Sequence, residues 1–124
     1  MRLPLLLLII VTFYSCYEPP QRDCEAFKTG EFLFEEEING KQERTRFIRT
    51  DSLQIEYYNE TIDSARVQWV NDCEFILYKI NPESNAESRA IRMKILTTTS
   101  DSYTFEYTLA GNNTTARGKI KKLD

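Results

Sequence analysis

Apolar and polar side chains alternate along most of this chain, and turn residues interrupt the alternation about every ten positions. The clearest run is Tyr103–Leu109, in which every second residue is apolar. A strand with this pattern buries one face and exposes the other, which is typical of antiparallel sheets. The dipeptide Asn39-Gly40 separates two such runs, and both residues tolerate the positive φ angles of a tight hairpin turn. The pattern therefore predicts an all-β domain of about eight antiparallel strands.

Strands of this number and kind can close into a small barrel or stack as a two-layer β-sandwich, and both arrangements protect the sheet edges. Tight hairpins join most neighbouring runs, so we favour an up-and-down barrel over the sandwich. One connection differs, because Asn81 precedes Pro82, a pairing typical of the first residues of a helix. The sequence thus predicts one short helix near residues 82–90.

The N-terminus has the composition of an export signal. Arg2 precedes the apolar run Leu3–Tyr14, which is too short to span a bilayer core that needs roughly 20 residues. Its length matches the hydrophobic region of a secretory signal. Ser15-Cys16 then resembles the cleavage site of a bacterial lipoprotein, in the relaxed form known from Bacteroidetes. The alternative is a plain secretory signal, with Cys16 available as a disulfide partner.

The lipoprotein interpretation divides the chain into a signal peptide (1–15), a lipidated tether (16–23) and a β-barrel domain (24–124). Acyl chains on Cys16 would anchor the protein, since each buried CH₂ contributes about 0.8 kcal/mol and stable anchoring takes more than one chain. Pro19 and Pro20 favour an extended spacer between lipid and domain. The expected partner is thus a membrane, and the expected location is the bacterial cell envelope.

The chain has three cysteines, and lipidation of Cys16 leaves Cys24 and Cys73. Two cysteines in an oxidising compartment predict one disulfide. A redox pair is the alternative, but no CxxC motif is present. Two cysteines without a histidine also give little support to a metal site.

Composition excludes several classes of function. The chain has no histidine, which removes Ser-His-Asp and Cys-His triads and His-ligated zinc or haem. A net charge of −3 argues against binding nucleic acid, which selects basic surfaces. Arg44, Arg46 and Arg49 are interleaved with other residue types, so we interpret them as solvated strand faces. We expect no cofactor and no metal.

Four stretches carry a resemblance to a known family: CEAFKTGEF (24–32), VQWVNDCEFIL (67–77), KILTTTSDSYTFEY (94–107) and the final basic strand. They are similar to a family of small flavobacterial lipoproteins of unassigned activity, and the strand layout looks like that of lipocalin-like lipoproteins. Members of the family often carry the label "DNA topoisomerase IV". An exported, acidic chain of 124 residues without an ATP-binding motif gives that label no support. The resemblance implies no catalytic residues.

Carboxylates are the only abundant side chains suited to catalysis. The alternation places Glu56 and Glu106 opposite the apolar residues, hence outside the barrel. Glu36 shares a face with apolar neighbours, so an inward position would require a partner such as Arg46 or Arg49, or a polar pocket. The alternative is a strand end that returns Glu36 to solvent. A hydrolase with paired carboxylates would need two of them inside the barrel.

Aromatic residues are numerous, and the pattern places nine of them on inward faces: Phe32, Phe34, Phe47, Tyr57, Trp69, Phe75, Tyr103, Phe105 and Tyr107. They would either fill the core of a small barrel or line a cavity for an apolar ligand. The residues that we expect to line such a cavity are Glu36, Tyr57, Trp69, Tyr103 and Tyr107.

The sequence thus favours a non-enzymatic envelope lipoprotein that binds a small apolar ligand or an envelope protein. A structural or assembly accessory without a cavity is the alternative. A carboxylate-based hydrolase is the third hypothesis.

Overall fold

The computed structural model describes residues 22–111 and 115–124 of the chain. The predicted signal peptide (1–15), Cys16 and the tether up to residue 21 lie outside the described residues. The strands are β1 (Gly30–Ile38), β2 (Lys41–Arg49), β3 (Leu53–Tyr58), β4 (Thr61–Asn71), β5 (Glu74–Lys79), β6 (Ile91–Thr98), β7 (Ser102–Leu109) and β8 (Thr115–Lys122). No helix in the described part of the chain is long and apolar enough to cross a membrane.

The eight strands form one closed, up-and-down barrel, as the alternation predicts. Each strand pairs antiparallel with the next along the chain, and β1 pairs with β8 to close the sheet. In that closing pair Phe32 lies opposite Lys122 and Phe34 opposite Ile120. The sheet therefore has no free edge strand, which removes the need for a second layer. The barrel, rather than the sandwich, is the fold.

Tight turns at one end of the barrel follow the predicted turn chemistry. Asn39 and Gly40 have φ angles of 53° and 76°, so both central residues of the β1–β2 hairpin lie in the left-handed region. Asn59, at the β3–β4 hairpin, has a φ angle of 52°. Asparagine tolerates this backbone conformation better than other residues with a side chain. These turns hold the strands in register around the mouth of the barrel.

The helix expected near residues 82–90 is wrong, because that segment consists of bends and turns. Asn81 has a φ angle of 55°, not the β-region angle of a helix N-cap. Only one turn with an α-helical hydrogen bond forms in this segment: the Ser88 N–H donates to the Ser84 carbonyl at 3.1 Å, and Ser84 Oγ caps this turn by accepting from the Glu87 N–H at 3.1 Å. The Glu83 N–H donates to Glu87 Oε2 at 2.7 Å. The segment has no apolar stripe that could bury one face of a helix.

A single 3₁₀ turn, Glu25–Phe27, is the only helical element among the described residues, and it closes one end of the barrel. Phe27 is fully buried and meets the ring of Tyr103 edge-on at 5.3 Å. The predicted disulfide is confirmed: Cys24 and Cys73 are bonded, which ties the 3₁₀ turn to the β4–β5 connection. We call this the closed end and the opposite, hairpin end the open end.

The hydrophobic core lies inside the barrel and extends to the closed end, where Cys24 and Phe27 are buried. Its buried members are Cys24, Phe27, Phe32, Phe47, Val67, Phe75, Leu77, Met93, Ile95, Tyr103, Phe105 and Ile120. Aromatic rings contact one another throughout this cluster; Phe32, for example, stacks on Phe47 with 5.1 Å between ring centroids.

Candidate ligand-binding cavity

The barrel interior contains a cavity of about 440 Å³, and several core residues form part of its walls. Its walls are formed by Phe34, Glu36, Thr45, Phe47, Arg49, Gln54, Glu56, Leu77, Ile91, Met93, Tyr103, Phe105, Tyr107, Ala116, Arg117 and Ile120. Glu36 and Tyr107 are exposed at the open end, whereas Arg49 and Tyr103 are buried at the closed end. The cavity is therefore a well with its mouth at the hairpins and its floor near the 3₁₀ turn.

Strand register explains why the walls are largely apolar. Side chains alternate across each strand, and cross-strand partners face the same side of the sheet. Met93 of β6 pairs with Tyr107 of β7, and both line the cavity. Gly118 of β8 pairs with Phe105, and a Cβ at Gly118 would lie only 2.7 Å from that ring. The glycine thus makes room for an aromatic ring in the wall.

Arg49 forms the polar floor. Its Nε donates to the Lys28 carbonyl at 3.0 Å, and one terminal nitrogen, Nη2, donates to the Phe27 carbonyl. The other, Nη1, donates to Gln54 Oε1 at 3.1 Å, and both terminal nitrogens approach the Tyr103 hydroxyl, at 3.3 and 3.4 Å. These contacts provide an acceptor for each of the five N–H groups of a guanidinium. The carbonyls at the end of the 3₁₀ turn therefore help to hold a buried cation in place.

The prediction that Arg49 lies on a solvated face is wrong, since its side chain is only 1% exposed. No carboxylate forms an ion pair with it among the described residues. Aromatic faces compensate in part: the guanidinium carbon lies 4.7 Å from the ring centroids of both Phe32 and Phe75. Arg46, two positions earlier, is exposed and pairs with Glu31 at 2.8 Å. Neither arginine is the ion-pair partner considered for Glu36.

Gln54 connects the floor to a carboxylate in the wall. Its Oε1 accepts from Arg49, and its Nε2 donates to Glu56 Oε1 at 2.9 Å. The amide thus bridges the cation and the carboxylate in one line of hydrogen bonds. The prediction that Glu56 faces outward is wrong, because β3 turns its polar residues inward. Glu56 pairs across the sheet with Phe47, whose ring also lines the cavity.

Burial controls the protonation state of the Tyr103 hydroxyl. Desolvation raises the pKa of this phenol above its ordinary value of 10.0, and the adjacent Arg49 guanidinium opposes the rise. The hydroxyl therefore stays protonated at neutral pH and accepts the Arg49 N–H bonds as a neutral group. The floor carries one positive charge, on Arg49.

The mouth of the cavity is acidic. Glu36 is exposed and lies directly opposite Glu43 in the β1–β2 register. The Tyr58 hydroxyl donates to Glu43 Oε2 at 2.9 Å, and this hydrogen bond raises the pKa of Tyr58 above its ordinary value. Glu36 is thus exposed to solvent near the end of β1, as the alternative in the sequence analysis predicted. It does not belong to a buried pair of carboxylates.

Three of the five residues expected at a pocket are brought together by the fold: Glu36, Tyr103 and Tyr107. Tyr57 lies on the outer face of β3, where the Arg46 guanidinium covers its ring at 4.4 Å, so the inward prediction for Tyr57 is wrong. Trp69 is partly buried and packs on Phe75 at 4.6 Å, as part of the core and not of the cavity wall.

Sequence reasoning missed Gln54 as a cavity residue and Arg49 as its floor. The sequence did contain a signal for them. Gln54 and Glu56 are two positions apart on β3 and so share one face of the strand, and Gln54 is the cross-strand partner of Arg49. The more apolar face of an alternating strand is usually taken as the buried one. In β3 the polar face is the inner one, because the barrel interior contains polar groups. The apolar pattern of Ile55 and Tyr57 on the other face concealed this.

Within residues 22–111 and 115–124, no group of three or more His, Cys, Asp or Glu side chains is arranged to hold a metal ion. The arrangement provides instead an open-mouthed, largely apolar well with a few convergent polar groups. Comparison with known proteins finds no matching protein-family model, no matching curated sequence and no matching solved structure.

Proposed function

We propose that this protein is a membrane-anchored envelope lipoprotein that binds one small, largely apolar ligand inside its barrel. The observation that carries the proposal is the cavity of about 440 Å³. Small-molecule sites typically occupy about 300–1,000 Å³, with apolar walls and a few placed polar groups.

The anchoring part of the proposal rests on the sequence before residue 22. The apolar run Leu3–Tyr14 followed by Ser15-Cys16 is typical of a lipoprotein signal. The chain enters the barrel at Cys24, at the closed end. A lipid on Cys16 would therefore lie on the side of the floor, and the mouth would point away from the anchoring membrane.

A second candidate is binding of an envelope protein at the open end. Three isoleucines are exposed beside the open-end connections: Ile38 at 44%, Ile62 at 65% and Ile80 at 42%. Ile62 and Ile80 line one groove at this end of the barrel, and exposed apolar groups that lie together favour contact with another surface. A partner at the rim and a ligand in the cavity are compatible with one another.

Native mass spectrometry of the full-length protein, extracted from its own membrane, tests the proposal. We expect a mass with residues 1–15 removed, an acylated Cys16, one disulfide and a retained small molecule that dissociates on activation. An intact N-terminus, or a mature chain without acyl mass, would contradict the anchor. A barrel that holds no ligand after extraction, and that binds no apolar compound afterwards, would contradict the cavity function.

A further inference from the structure

Cations and carboxylates around the cavity differ in how fully they are paired. Arg117 pairs with Glu106 at 3.1 Å on the outer face, and Lys79 pairs with Glu87 at 2.6 Å at the open end. On the floor, the N–H groups of Arg49 already have carbonyl, amide and hydroxyl acceptors. Arg117 and Lys79 are thus paired with carboxylates, whereas Arg49 has no carboxylate partner among the described residues but has its N–H groups occupied by neutral acceptors.

The two carboxylates that line the cavity are in the opposite situation. Glu36 and Glu56 belong to no ion pair in the part of the chain that the structure describes. Glu56 accepts one hydrogen bond on Oε1, from Gln54. Its second oxygen has no donor among the described residues, and Glu56 is only partly exposed. A half-buried carboxylate gains most from a charged donor.

We infer that the ligand is a cationic amphiphile, that is, an amine with a hydrocarbon body. This inference rests on the proposed cavity function. The ammonium group binds the free oxygen of Glu56, and the hydrocarbon body contacts the apolar walls. The pairing completes the hydrogen bonding of Glu56 and replaces the water that the carboxylate loses on ligand entry.

The neighbouring rings suit the same cation. Phe47 lies directly across the sheet from Glu56, and Phe105 and Tyr107 line the same cavity. An ammonium group near the face of an aromatic ring is attracted by the ring quadrupole. Glu36 at the mouth and the net charge of −3 favour the approach of cations over anions.

An anionic amphiphile, such as a fatty acid, fits the site less well. To reach Arg49, its carboxylate would have to displace acceptors that are themselves buried, such as the Phe27 carbonyl and Gln54 Oε1. Those groups would then lack hydrogen-bond partners, which is unfavourable in a buried site. The anion would also lie near the negative charge of Glu56. The geometry thus distinguishes between ligands of equal apolar length but opposite charge.

Titration with three compounds of one chain length tests this inference: octylamine, octanol and octanoate. The protein is the chain from Tyr17 onward, which contains the complete described core, with its disulfide formed and its folding checked by thermal unfolding. Amide NMR shifts report both the affinity and the position of binding. We expect shifts at Met93 and Phe105, and affinity for octylamine at least about tenfold above that for octanoate.

Two variants locate the effect. Glu56→Gln keeps the shape of the side chain, so it should retain octanol binding and lose the preference for octylamine. The matched control is Glu106→Gln, which removes a carboxylate from the outer face and should keep the preference. If octanoate binds as tightly as octylamine, or if Glu56→Gln keeps the preference, the inference is wrong while the cavity function stands. If none of the three compounds shifts cavity resonances, the proposed function itself fails.

Discussion

Arg49 and Gln54 are cross-strand partners on β2 and β3, and the guanidinium donates to the amide oxygen at 3.1 Å inside the barrel. The same amide donates to Glu56, so one uncharged side chain joins a buried cation to a carboxylate. A direct ion pair would place both charges in the floor, where desolvation opposes their attraction. The bridging amide instead lets the carboxylate remain in the cavity wall, where a ligand can reach it.

Replacing Arg49 tests how strongly this floor stabilises the barrel. Arg49→Met keeps much of the apolar volume but leaves the Phe27 and Lys28 carbonyls, Gln54 and the Tyr103 hydroxyl without their donor. We expect the free energy of unfolding to fall by about 2–4 kcal/mol, because unsatisfied buried polar groups are unfavourable. Urea denaturation of the wild type and the variant measures the change.

The matched control is Arg44→Met on the same strand. Arg44 is exposed and pairs with Glu35 at 3.4 Å, so its loss should lower stability by less than about 1 kcal/mol. Equal effects of the two substitutions would show that the floor is not held by the Arg49 hydrogen bonds.

The disulfide should contribute most of its stability by restricting the unfolded chain. Cys24 and Cys73 are separated by 49 positions, and closing a loop of this length is worth about 4 kcal/mol in the chain-entropy model. The double variant Cys24→Ser/Cys73→Ser should unfold at correspondingly lower urea concentration. Wild-type protein under reducing conditions should show a similar shift. An unchanged midpoint in both samples would mean that the bond adds nothing beyond the barrel contacts.

The barrel was accessible from the sequence because its physical causes are local. Alternation fixes which positions share a face, and Asn39-Gly40 adopts the positive φ angles that its residue types favour. The disulfide was also predicted from a count, because the prediction that Cys16 carries lipid leaves only Cys24 and Cys73 to pair. The alternation and the turn depend only on residues that are close in sequence. The disulfide prediction depends only on the number of cysteines and not on their positions in the fold.

The orientation of β3 was not accessible in this way. Alternation identifies two faces but does not say which is inside, and Leu53, Ile55 and Tyr57 form the more apolar face. The barrel interior takes Gln54 and Glu56 instead, because the register places Gln54 beside the buried Arg49. That outcome depends on a contact between strands and on a cation whose burial comes from the 3₁₀ turn. The predicted cavity residues differ from the observed ones for the same reason.

Acid should loosen the segment that replaces the expected helix. The Lys79 ammonium and the Glu83 N–H lower the pKa of Glu87 below its ordinary value of 4.5. Because the folded pKa is the lower one, these contacts stabilise the segment above pH 4.5, and that stabilisation is lost as the pH falls through the folded pKa. Lys79, whose pKa is raised, stays protonated throughout this range.

The Glu83 amide reports this change, since it donates to Glu87 Oε2 at 2.7 Å. We expect its NMR resonance to move with one acidic transition in the wild type and with none from this source in Glu87→Gln. The Ile95 amide, which donates to the Cys73 carbonyl at 2.8 Å, serves as the internal control and should not move. A Glu83 resonance that is equally pH-sensitive in both proteins would contradict the assigned contact.

Gly118 should control the volume of the cavity. A methyl group at this position would approach Phe105 to 2.7 Å and Phe34 to 3.0 Å, so Gly118→Ala must displace one or both rings. Overpacking of this kind typically costs about 1–3 kcal/mol, and the displaced rings would enter the space available to a ligand. We expect lower stability together with at least a tenfold loss of octanol affinity, about 1.4 kcal/mol. Lys119→Ala, on the exposed face of the same strand, should change neither quantity. A variant with unchanged octanol affinity would place the binding site elsewhere than between these rings.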